Sequence, residues 1–165
     1  MKRFAAVVVV GAALALVFSP RGPLGGFWAP SAQFPKPEGA VLAGFIAAGV
    51  VEAVAFGVGV AILLFGRRWF TTRAATPRNG DIAWLTACWL FASWLPHASL
   101  HQHIGMQPAQ ILPVEWIFHV GNIVALSALL WSLAASQSYP PIADTSAEPA
   151  VAATHEPPAS AAGSR

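Results

Sequence analysis

The sequence predicts an all-α integral membrane protein, a four-helix bundle with a polar tail, and three observations predict it. Of 165 residues, 56% are apolar and only 10% are charged, against about 25% charged in an ordinary soluble domain. Four apolar stretches, at about 4–19, 39–66, 82–104 and 113–135, are separated by segments rich in Pro, Gly and Arg. Beyond them, 137–165 is dominated by Pro, Ala, Ser, Thr and Glu without apolar periodicity. Such a composition buries too little apolar surface to order itself. The domain reading is therefore a transmembrane unit over 1–136 and a disordered cytoplasmic tail over 137–165. A single cysteine excludes an intrachain disulfide framework and any CxxC motif. A net charge of +2 with only local arginine clusters argues against nucleic acid as a partner.

The first span follows Lys2 and Arg3 and lacks a small-x-small cleavage pattern after Phe18, where Ser19-Pro20-Arg21 stands. It reads as an uncleaved helix in preference to a signal peptide. The second, Gly39 to Gly66, carries one charge, Glu52. At about 1.5 Å per residue it exceeds the roughly 30 Å hydrocarbon core. Within it Gly49, Ala53 and Gly57 form a stripe of small residues that lets another helix approach closely. The third is too short if it stops at Leu95, so it is expected to continue through Pro96 as a kinked helix and to stop at Gly105. The fourth is expected to open with Pro113 in the first helical position.

Lysine and arginine concentrate in short cytoplasmic loops. Arg67, Arg68, Arg73 and Arg78 lie between spans two and three, and Lys2 and Arg3 precede span one. An N-in, C-in chain places all six on the cytoplasmic side and leaves Arg21 and Lys36 outside. Trp28, Phe27, Phe34, Trp69 and Phe70 fall at span ends, where aromatic anchors sit. The abundance of Ala, Arg, Pro and Gly suggests a bacterial source, so the expected location is a bacterial plasma membrane. The expected partners are the lipid bilayer and, as an open alternative, other membrane subunits.

One polar constellation points to chemistry. Ser93, His97 and His101 are spaced by four, and Glu115, His119 and Asn122 by four and three, so each set shares one helix face. Counted from Ile104 and Pro113, His101 and Glu115 lie about 3 to 5 Å below the outer helix ends, and His97 and His119 about 9 to 11 Å. Both sets belong to the extracytoplasmic half. Imidazoles with a carboxylate are a ligand set for zinc, copper or iron. His97, His101, Glu115 and His119 are the candidate ligands. Glu52, Asn122 and Ser93 are candidates for outer partners or a polar relay, because a carboxylate in mid-membrane must face protein or be neutralised.

Four readings stay open at this stage. The first is a transition-metal site. The second is b-type haem held by His97 and His119. The third is a proton relay through Glu52 and the histidines. The fourth is a structural hydrogen-bond network within a larger membrane complex. None of them decides whether the protein is an enzyme.

Overall fold

The computed structural model describes residues 1–34, 36–105 and 107–137. The tail expected over 137–165 lies outside them, apart from Gln137. Six helices follow in order: α1 Lys2–Phe18, α2 Gly39–Phe65, α3 Arg67–Thr71, α4 Pro77–Ala92, α5 Trp94–Ile104 and α6 Pro108–Gln137. No strand occurs among the described residues.

Two of these helices, α2 and α6, are long and apolar enough to cross a membrane. The α1 helix has 17 residues and rises about 26 Å, slightly less than a hydrocarbon core of roughly 30 Å. The third expected span is divided between α4 and α5. Only 22% of the most apolar stretch of α2, and 17% of that of α6, is buried. A core helix of a water-soluble protein would be mostly buried. Val51, Leu64, Ile117, Ile123, Leu130 and Trp131 instead point outward, where water would penalise each of them by one to three kcal/mol, roughly.

Successive long helices pack antiparallel. On α1 and α2, Gly11 meets Gly57, and Ala12, Ala15 and Ala53 form a buried cluster with Phe56 and Leu95 against it. On the other side of α2, Gly59 lies against Ala92 of α4, and Trp84 Nε1 donates to the Ile62 carbonyl at 2.8 Å. The α4 helix in turn packs on α6, where Trp89 covers Gly121. The helices thus follow one another from α1 through α2 and α4 with α5 to α6, and α6 has no extensive contact with α1. Small residues let these backbones approach closely, so that many dispersion contacts form along each seam.

The small-residue stripe is only partly used. Ala53 and Gly57 are buried against α1, whereas a side chain at Gly49 would meet open space. The chain bends between α4 and α5 at Ser93, three residues before Pro96. Pro96 has no N–H for the Ala92 carbonyl, so the α4 ladder ends one turn ahead of it. Hydrogen bonds from Ser93 N to Trp89 O and from His97 N to Ser93 O keep the two halves in sequence. The α4 helix begins at Pro77, five residues before the expected start, because Thr76 caps it by accepting from Asn79 N at 3.2 Å. The α6 helix also starts five residues early. Pro108 takes the first position and Pro113 lies inside, where the carbonyl it leaves unpaired, that of exposed Ala109, is still in the opening turn.

Gly105 ends α5 as expected, with φ +73°. Here the loop preceding α2 closes over the helix end. Ser31 N donates to the Gln102 carbonyl at 2.8 Å, and His103 Nδ1 lies 3.1 Å from the Ala29 carbonyl. Trp28 Nε1 donates to Phe18 O at 2.7 Å, so this anchor aromatic is tied to its own chain. At the opposite end α3 lies against α4, and Arg67 pairs with Asp81 through two bonds of 2.8 and 3.1 Å.

Gly57→Ala would place a methyl group 2.3 Å from the Val8 carbonyl oxygen. It is expected to lower the unfolding free energy by about 1–3 kcal/mol. Gly49→Ala should stay within about 0.5 kcal/mol of the parent. Denaturation of both variants in detergent checks the difference, and equal losses would refute the close-packing account of α1 on α2.

Candidate metal centre

The site is built where α5 and α6 face each other. In α5 a four-residue spacing places His97 and His101 on consecutive turns, their rings 4.5 Å apart and nearly perpendicular. In α6, Glu115 and His119 are likewise one turn apart. Both carboxylate oxygens of Glu115 are engaged. Oε1 lies 2.7 Å from His101 Nε2 across the helix pair, and Oε2 lies 2.5 Å from His119 Nε2 on its own helix. A carboxylate accepts from two imidazole N–H groups in this way without leaving either oxygen bare.

His97 is the third member. One ligand atom each from His97, His101 and Glu115 lies within 4.8 Å of the other two. The His97 ring is fixed by Phe118, which stacks on it with centroids 3.7 Å apart and planes 14° from parallel. Trp94 backs Phe118 edge-on at 5.0 Å. His97 Nδ1 is buried and has no hydrogen-bond partner. A buried ring nitrogen in that state carries a desolvation cost that a metal ion, a water or a ligand would relieve.

Of the four ligand candidates, three therefore converge. His119 joins through Glu115, and its ring stands 5.6 Å from that of His97. Its side chain is 61% exposed, against 27% for His101 and 32% for Glu115. His119 thus touches the cluster only through the second carboxylate oxygen of Glu115.

The remaining polar candidates are dispersed. Asn122 Nδ2 donates to the Phe118 carbonyl of its own helix at 2.9 Å. Ser93 lies at the helix break, its hydroxyl oxygen buried without a partner, and lines an apolar cleft of about 370 Å³ with His97, Phe56 and Phe118. Glu52 reaches the other side of α5. It lines a cavity of about 200 Å³ together with Ala98, His101 and Gln102. The two carboxylates, Glu52 and Glu115, thus approach His101 from different sides.

Two contributors carry no metal-ligand signature in the sequence. Phe118 sits three residues after Glu115, on the same helix face, and that spacing is the one sign that it borders the site. Gln102 shares the cavity with Glu52, and only its adjacency to His101 hints at this. No protein-family model matches the chain, and no similar curated protein or solved structure is found.

A double-mutant cycle separates the two Glu115 contacts. The His101→Ala and Glu115→Gln pair is expected to couple by about 1–2 kcal/mol, as a hydrogen bond between helices within a membrane protein does. The His119→Ala and Glu115→Gln pair should couple by less than about 1 kcal/mol because its imidazole is solvated. A larger coupling at His119 than at His101 would contradict this ranking.

Proposed function

We propose that the protein is a multi-pass membrane protein that binds one transition-metal ion between α5 and α6, with His97, His101 and Glu115 as ligands. The observation that carries the reading is the convergence of three ligand atoms from two helices beside a buried imidazole nitrogen without a partner. Two neutral imidazoles and a carboxylate suit zinc, copper or iron, and three protein ligands leave a position for water or substrate.

Bonds of about 2.0–2.2 Å in a tetrahedral site hold donor atoms about 3.4 Å apart. The donors therefore need to move by less than about 1.5 Å. The ion would take the place of the proton that His101 shares with Glu115. His119 keeps its bond to the second carboxylate oxygen and orients the ligand from behind.

The site lies at the end of the molecule away from Arg67, Arg68, Arg73 and Arg78. With those arginines cytoplasmic, the chain runs N-in and C-in across the plasma membrane and the metal faces the extracytoplasmic side. Haem is less well supported as the occupant, because the His119 Nε2 that would have to meet an iron is already engaged by Glu115 Oε2.

Purified full-length protein, stripped and titrated with Zn²⁺ or Co²⁺, is expected to bind one equivalent. His97→Ala and His101→Ala should abolish stoichiometric binding, whereas His119→Ala should weaken it by about 10–100-fold. Acidification should release the ion, because protons compete for both imidazoles and the carboxylate. A chain that binds no metal by elemental analysis, with helix content intact, would overturn the proposal and leave the cluster as a clamp between α5 and α6.

A further inference from the structure

At the end opposite the histidines, residues 67–81 carry four arginines against the single acid Asp81. Asp81 is already occupied by the two bonds from Arg67. Arg73 lies over the Trp69 ring at 4.5 Å and donates to the Trp69 carbonyl at 3.3 Å. Arg68 is exposed and has no acidic partner among the described residues.

Arg68 also borders a cavity of about 610 Å³, lined by Leu64, Phe65, Arg67, Arg68, Thr71 and Pro77. Its walls divide by chemistry. One side is cationic, and the other is the apolar end of α2, where Leu64 and Phe65 are exposed. Trp69 and Phe70, packed edge to face at 4.8 Å, stand beside it as interfacial aromatics do.

We propose that this cavity holds an anionic phospholipid, with the phosphate against the Arg68 guanidinium and the acyl chains along Leu64 and Phe65. Charge complementarity sets the headgroup, since a zwitterionic lipid brings its own cation to an arginine wall that lacks acids to receive it. The apolar wall sets the rest, because a free phosphate offers Leu64 and Phe65 nothing. The proposal rests on membrane residence and is independent of the metal centre.

The test uses full-length protein in neutral detergent, titrated with dioleoylphosphatidylglycerol or dioleoylphosphatidylcholine, with retained lipid counted by native mass spectrometry. Phosphatidylglycerol is expected to be retained at least tenfold more strongly. Arg68→Gln should reduce that preference roughly fivefold, as removing one basic residue at a membrane surface does, and Arg68→Lys should restore most of it. Asp81→Asn, which releases Arg67, should increase it.

Equal retention of the two lipids would overturn the proposal. So would a preference that survives Arg68→Gln but disappears when Lys2 and Arg3 are neutralised, or one that 20 mM inorganic phosphate abolishes. A parallel reconstitution of the same protein into vesicles of each lipid tests membrane residence separately, and failure to incorporate into either would refute it. Incorporation without lipid preference would refute only the lipid site.

Discussion

The architecture depends on how closely other helices can approach α2. Gly57 and Gly59 lie on different sides of that helix, and each brings a neighbouring backbone within contact range, α1 at Gly57 and α4 at Gly59. With so few large side chains buried along these seams, closeness of backbone fit carries much of the association between the helices. A chain with bulkier residues at these two positions would have no comparable means of ordering α1, α2 and α4. Glu52, next to Ala53 on the same helix, lines one cavity with His101 and Gln102 of α5 and another with Leu16 of α1 and Leu95.

Once α4 is fixed, α5 and α6 are positioned by polar and aromatic contacts. Glu115 spends one oxygen on each helix and so fixes their relative height. Phe118 and Trp94 then hold the His97 ring in one orientation. Aromatic packing of this kind shields the imidazole while the carboxylate stays half-exposed. The result is a graded cluster in which side-chain exposure increases from His101 through Glu115 to His119.

Much of this was legible in the sequence, for reasons that can be named. A helical period with spacings of four brings His97 with His101 and Glu115 with His119, and it needs no tertiary information. Gly105 could be read as a stop because glycine suits the left-handed position just past a helix end, and its positive φ agrees. The start of α6 was not legible. Pro108 and Pro113 both suit a first turn, and local chemistry does not choose between them.

Nor did the polar pattern separate His119 from the converging group of His97, His101 and Glu115, because that depends on which oxygen of Glu115 each imidazole meets. The long-range contacts of Ala29 and Ser31 with the last turn of α5 leave no trace in composition or period. The same is true of Phe118, whose stacking requires knowing how α5 is rotated.

Those loop contacts have a mechanical corollary. The upper end of the short histidine-bearing helix is fastened to a segment more than seventy residues earlier in the chain, while its lower end meets α4 at a joint weakened by Pro96. Any twist of that helix about its axis must therefore drag the Ala29–Ser31 segment with it, so an event at the imidazoles would be transmitted as displacement to the exposed rim.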